Sequence, residues 1–237
     1  MIVLFRGSIP KDSKYESENE DAYSYSSSRG IAVVSDGASE SFDARTWARL
    51  LVKRYIRNQR IDPNWINSAC SFYSKGGKYD ELSWSKKAAY LRGSFATLLC
   101  ALESPDKTNV SILAIGDSLA VLIEDEKFID SFPLKRSMDF SQRPTLISTI
   151  ESHNSYLTNG ESLEQYRVEW QVNSTTRILL MTDAIGAWCL RKEEEGEPQW
   201  DMLSRIRHLS ELRSIVTREC NSKSMRIDDT TLMVLAF

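Results

Sequence analysis

The sequence predicts an α+β fold of the layered sandwich kind, with helices packed outside β-sheets. Three observations carry that expectation. Strand-length segments that are almost continuously apolar recur along the chain: FATLLCAL at 95–102, VSILAI at 110–115, LAVLIE at 119–124, RILLMT at 177–182 and TLMVLAF at 231–237. Strands of that kind are covered on both faces. Residues 41–58 instead place Ala44, Trp47, Leu50, Leu51 and Tyr55 on one stripe, the spacing of an amphipathic helix. Two more helical patterns separate the last two strands, one with Trp200, Leu203 and Ile206 and one with Leu212, Ile215 and Val216.

The remaining elements follow in order. DAYSYS at 21–26, a turn through SSRG, and IAVVS at 31–35 read as a β-hairpin. A second helix is expected over 82–91, with Trp84, Ala88 and Leu91 on one face, ending before Gly93. KFIDSF at 127–132 adds a strand. Residues 133–170 break the pattern: Pro133, Pro144 and a polar stretch at 151–167 read as an irregular surface insertion with one short helix. No repeat, low-complexity tract or linker divides the sequence, so residues 1–237 are expected to form one domain.

With 41% hydrophobic residues, a chain this long can bury a sizeable core. A net charge of −3 makes no electrostatic bid for nucleic acid or an anionic membrane. MIVLF before Arg6 is too short for the apolar region of a signal peptide, and no apolar run is long enough for a membrane helix. Cys70, Cys100, Cys189 and Cys220 form no CxxC pair and read as free thiols of a cytoplasmic protein. His153 and His208 lack metal-ligand spacing and receive no role.

Acidic residues recur where apolar strands meet small-residue turns. Glu20 and Asp21 open the first strand of the hairpin and Asp36 closes the second. Asp183, in LLMTDAIGAW, closes another strand, and Asp228 and Asp229, in RIDDTTLMVL, begin the last. Asp117, in AIGDSLAVL, occupies a tight turn between two strands. One such acid is an ordinary turn or cap residue. A set of them at one end of a sandwich would repel and needs cations. Without His or Cys among the donors, those cations are hard ions such as Mg²⁺ or Mn²⁺ and not zinc. Gly37, with no side chain, would let a main-chain carbonyl approach a metal.

The ordered series NEDA (19–22), SDG (35–37), GSFATLL (93–99), GDS (116–118), TDAIG (182–186) and DDTT (228–231) resembles the metal-dependent protein phosphatases of the 2C type, in particular compact bacterial members. The resemblance implies a four-layer αββα sandwich, two mainly antiparallel sheets flanked by helices, with a binuclear Mg²⁺ or Mn²⁺ centre between them. It implies that Asp36 bridges both ions, that the Gly37 carbonyl binds one, and that Asp183 and Asp228 complete the shell of the other. Glu20 and Asp21 would orient metal-bound waters, and Asp117 would help hold a labile third ion. The implied reaction is in-line hydrolysis of phosphoserine or phosphothreonine in a phosphoprotein by a water activated at the two ions, with no covalent enzyme intermediate. A cognate kinase would be encoded separately.

Three positions depart from that family's pattern. Glu16 stands where many members have a phosphate-gripping Arg, leaving Lys11 and Lys14 as candidate phosphate ligands. Ala38 stands where eukaryotic relatives have a His, and Leu119 where an Arg is frequent. Two rival readings accompany the phosphatase: a binding or regulatory module that keeps the fold with little turnover, and a nuclease or small-phosphoester hydrolase.

Overall fold

The computed structural model describes residues 1–12, 14–76, 82–158 and 163–237. One five-stranded antiparallel sheet runs in the order β1 (Ile2–Ile9), β12 (Thr230–Ala236), β11 (Arg177–Met181), β7 (Leu119–Glu124) and β8 (Lys127–Phe132). A second runs β10 (Arg167–Gln171), β6 (Asn109–Ile115), β5 (Leu98–Glu103), β3 (Ile31–Ser35) and β2 (Ala22–Ser26). A short ribbon pairs β4 (Phe95–Ala96) with β9 (Ile147–Ser148). Helices α1 (Ala44–Arg57) and α2 (Pro63–Gly76) cover the second sheet, while α5 (Asp183–Glu194), α6 (Trp200–Ser204) and α7 (Leu209–Asn221) cover the first. The remaining α-helices among the described residues are α3 (Trp84–Arg92) and the short α4 (Ser155–Thr158).

The lack of alternation in the strands is explained by three apolar layers between four layers of structure. In β3, Ile31 and Val33 pack with Trp47, Leu51 and Tyr55 of α1. Ala32 and Val34 point the other way, into a shared core with Leu180, Met233 and Leu235 of the opposite sheet. On the far side, Leu179, Met181 and Val234 meet Trp188 of α5 and Leu212 of α7. Each fully buried Leu, Ile or Val contributes about 1.5–3 kcal/mol, so tertiary burial and not strand propensity holds these segments. The four-layer α+β sandwich is therefore the fold the sequence implied.

The predicted hairpin forms as β2 and β3, and the stripe at 41–58 becomes α1 with Ala44, Trp47, Leu51 and Tyr55 buried. FATLLCAL is not one strand. Thr97 interrupts it, leaving β4 and β5 on either side. The N-terminal apolar run after Met1 opens strand β1, an edge strand paired with the C-terminal strand. Within 133–170 the short helix is α4, but the segment ends in β10, an edge strand paired with β6. Its sequence, RVEWQ, buries only Trp170 deeply, so nothing apolar announces it. All four cysteines are free, with Cys70, Cys100 and Cys189 buried. Among the described residues no helix is long and apolar enough to cross a membrane.

Candidate metal centre

Strand register gathers the acids. Ala22 pairs with Ser35, Leu98 with Ile115, Met181 with both Leu119 and Leu232, and Ile9 with Thr230. The residues just outside those pairs are Asp21, Asp36, Asp117, Asp183 and Asp228–Asp229, so all leave their sheets at one end. Asp117 lies in the connection that carries the chain from β6 in one sheet to β7 in the other.

Thr97 is the joint between the loops. Its hydroxyl accepts from the Asp36 amide at 2.8 Å and its own amide donates to the Asp36 carbonyl at 2.8 Å. The Ser118 hydroxyl sits 2.7 Å from the same Thr97 oxygen. Gly116, at φ +105°, passes so close that a Cβ there would lie 2.6 Å from the Thr97 methyl. The GDS turn thus keeps its glycine for Thr97 and its serine to bond it. At Gly37 a Cβ would meet Ala44 Cβ at 2.8 Å and the Glu20 carbonyl at 2.9 Å, so packing alone already requires glycine there.

Asp21 is buried between the sheets. Its Oδ2 accepts from Thr231 Oγ1 at 2.7 Å and Thr182 Oγ1 at 3.1 Å, while its Oδ1 is buried with no hydrogen-bond partner. The two acids of the DDTT motif divide their work. Asp229 is buried and accepts from the backbone amides of Lys11 and Glu20, each at 2.7 Å, tying β1 and the β2 approach together. Asp228 faces the cluster and pairs with Arg226 at 2.9 Å. Arg226 also holds Asp183, the first residue of α5, through Oδ2; Asp183 Oδ1 is buried and unpaired.

The carboxylates feel one another. Burial pushes the Asp36 carboxyl well above its ordinary range, and the charges of Asp21, Asp183, Asp117 and Asp228 push it further. Burial raises Asp21 as well, with Asp229 and Asp183 adding to the shift and the two threonine hydroxyls opposing it. Asp117 is pushed up to about 6 by burial and by Asp183. Burial also raises Asp183, against the pull of Arg226. A buried carboxylate oxygen without a donor costs several kcal/mol unless a cation arrives. The oxygens of Asp21 and Asp183 are such atoms, and every side-chain donor in the cluster is a hard carboxylate. The residues present fit Mg²⁺ or Mn²⁺ and not zinc.

Among the described residues, no three acidic, His or Cys groups yet converge into a closed ligand set. Arg226 lies between two of the acids: its guanidinium pairs with both Asp183 and Asp228. An ion entering between Asp183 and Asp228 must share or displace it. Arg226→Gln is therefore expected to bind Mn²⁺ about tenfold tighter by calorimetry, about 1.4 kcal/mol, and to melt lower than the parent in chelator. Unchanged affinity would mean that the guanidinium does not compete.

The remaining predicted residues divide. Glu20 Oε2 accepts from Lys11 Nζ at 2.9 Å and from Ser39 Oγ at 2.6 Å, placing Lys11 beside the acids. Burial alone would lower the Lys11 pKa, but Glu20, Asp229 and Asp228 raise it, so it stays charged. Lys14 is exposed, and among the described residues its side chain makes no ion pair with the acids. Glu16 is exposed and lies 3.6 Å from Arg213 of α7. The sequence reading missed the supporting shell: Thr97, Ser118, Thr182, Thr231, Arg226 and the separate part played by Asp229. The hydroxyl residues had left a signal, since each ends an otherwise apolar strand at the end where the acids lie.

The family model described as Protein phosphatase 2C matches residues 13–222. The chain belongs to the protein phosphatase 2C family. Its matched span takes in every predicted site residue except Lys11 and Asp228. Solved structures agree in fold across nearly the whole chain. PppA, titled a key regulatory component of T6SS in Pseudomonas aeruginosa, is 19% identical with a TM-score of 0.58, covering 98% of this chain and 97% of that one. Serine/threonine phosphatase Stp1 from Staphylococcus aureus is 14% identical with a TM-score of 0.62, covering 100% and 96%. The catalytic domain of the serine threonine protein phosphatase PstP, solved in complex with two manganese ions, is 13% identical with a TM-score of 0.57, covering 98% and 97%. No curated protein sequence matches the chain significantly.

Proposed function

We propose that this family member hydrolyses phosphoserine and phosphothreonine esters in a phosphoprotein, using two divalent ions held by Asp36, Asp183, Asp228 and the Gly37 carbonyl. The observation that carries the reading is the pair of buried, donorless oxygens of Asp21 and Asp183 inside a cluster of mutually repelling carboxylates. The solved relative with two manganese ions supports a binuclear centre. Mg²⁺ and Mn²⁺ both suit these donors, and Asp117, whose charge acts on Asp36, is the candidate ligand for a third ion.

When bound, the ions would supply an activated water and neutralise charge on the phosphoryl group. The chain's own residues do the rest. Thr97 and Ser118 hold the Asp36 backbone in place, and the Thr182 and Thr231 hydroxyls orient Asp21 toward the cluster. Lys11 contributes a positive charge beside Glu20 that can hold a phosphate oxygen, a task Glu16 cannot perform. Ala38 offers no proton to the leaving oxygen. The reading places the enzyme in the cytoplasm, which suits its free cysteines.

Thermal melting and phosphate release, each with Mn²⁺ titrated against chelator, test this. Mn²⁺ at one hundred times its dissociation constant should add about 2.7 kcal/mol and raise Tm by roughly 5–10 °C. Release of phosphate from a phosphothreonine peptide should vanish in chelator. A melting temperature indifferent to both Mn²⁺ and Mg²⁺ would overturn the metal assignment.

A further inference from the structure

Next to the acids, on the side of Ala38, opens a pocket of about 500 Å³. Phe95, Leu146, His153 and Tyr156 line it, and Arg92 and Arg143 stand exposed around it. Neither guanidinium has a hydrogen-bond or ion-pair partner among the described residues. Glu40, also exposed, is the one carboxylate in the lining.

The wall is fixed relative to Asp36. The Ala38 amide donates to the Phe95 carbonyl at 2.9 Å, and the Phe95 ring stacks on His153 at 5.7 Å between centroids. Phe95 pairs with Ser148 across β4 and β9. Buried Trp47 donates its indole N–H to the Ile147 carbonyl at 2.8 Å. Buried Asn154 accepts from the Ser148 amide and donates to the Ser148 carbonyl, at 2.8 and 2.9 Å. Tyr156 donates its hydroxyl to the Leu146 carbonyl at 3.1 Å. Part of the irregular segment after β8 is thereby fastened to the strand end that carries the candidate metal centre.

Ala38 is two residues beyond Asp36, so their Cα atoms are at most about 7 Å apart. An extended peptide advances about 3.3 Å per residue. With a phosphoresidue at the acids, the side chain two or three positions away reaches this pocket. Two guanidiniums without partners among the described residues present forks that match a carboxylate. The aromatic lining covers the aliphatic stem of such a side chain and reduces the water around the charge pair.

We propose that this pocket is a substrate subsite for an acidic side chain, Asp or Glu, two or three residues from the phosphoresidue. The inference rests on the phosphatase reading above and narrows its substrate class to phosphoproteins with acidic flanks.

The test uses phosphothreonine peptides that are identical except for Glu, Ala or Lys at two and three residues on either side. With Mn²⁺ present, kcat/KM should be about five- to tenfold higher for the Glu peptide than for the Lys peptide. Arg92→Glu with Arg143→Glu should reverse that order, and the folded Gln pair should bring the ratio close to one. A wild-type ratio near one, or an unaltered ratio in the Glu variant, would overturn the subsite. Fluorescence anisotropy with non-hydrolysable versions of the same peptides reads binding alone. If no peptide is turned over, the phosphatase reading fails, and the anisotropy ratio still decides the subsite.

Discussion

Asp36→Ala is expected to lower kcat/KM for metal-dependent phosphate release by at least about a thousandfold, some 4 kcal/mol of transition-state stabilisation. The carboxylate is the one whose charge is opposed by all of Asp21, Asp183, Asp117 and Asp228. A cation bridging the cluster would therefore lean on it most. The same substitution carries a second signature. An acid whose pKa is raised by folding destabilises the folded state wherever it is ionised, above its unfolded value and increasingly so towards its folded one. Removing it should leave the metal-free protein at least as stable as the parent in chelator at neutral pH. The fold tolerates the loss because the Thr97 contacts to residue 36 run through backbone atoms. Kinetics and melting in chelator check the two halves together. A folded Asp36→Ala protein with normal turnover would remove this residue from the centre.

The adjacent acids of the last motif should fail in opposite ways. Asp229→Ala strips the acceptor from two backbone amides, those of Lys11 and Glu20, in a buried setting. Each orphaned donor costs about 1–3 kcal/mol, so urea unfolding should show a loss of roughly 2–5 kcal/mol. Asp228→Asn keeps the size of the side chain and the oxygen that accepts from the Asp229 amide, and loses the charge paired with exposed Arg226. It should cost little stability yet reduce Mn²⁺ affinity and turnover about a hundredfold or more. If Asp229→Ala proves stable and metal-blind while Asp228→Asn unfolds the chain, the two residues have been assigned the wrong way round.

Much of the fold was readable because the relevant signals are local. IAVVS could only be a strand covered on both faces, and the spacing of Trp47, Leu51 and Tyr55 could only turn one side of α1 inward. Strand β1 was not readable in that way. It is half-exposed, and its partner is the last strand of the chain, a pairing no window of neighbouring residues contains. The edge strand β10 was hidden for a related reason: it has a sheet neighbour on one side only and needs few apolar residues. The acids stood out because charge at the end of an apolar run is costly. Arg226 did not stand out, since an arginine in a polar turn has no visible partner until two distant carboxylates arrive beside it.

By itself, then, the sequence determined which apolar segments are strands covered on both faces, which one-sided patterns are helices, and which oxygens could serve a hard cation. Apolar periodicity and the chemistry of a side chain are properties of a residue and its near neighbours. Only the tertiary structure decided that Asp228 faces the cluster while Asp229 ties backbone, that Lys11 reaches Glu20 while Lys14 stays outside, and that Ala38 opens onto a pocket edged by two exposed arginines. Those outcomes depend on strand register and sheet stacking. A shift of one residue reverses the face on which every side chain stands, and residues separated by most of the chain come within hydrogen-bonding distance only once both sheets have closed.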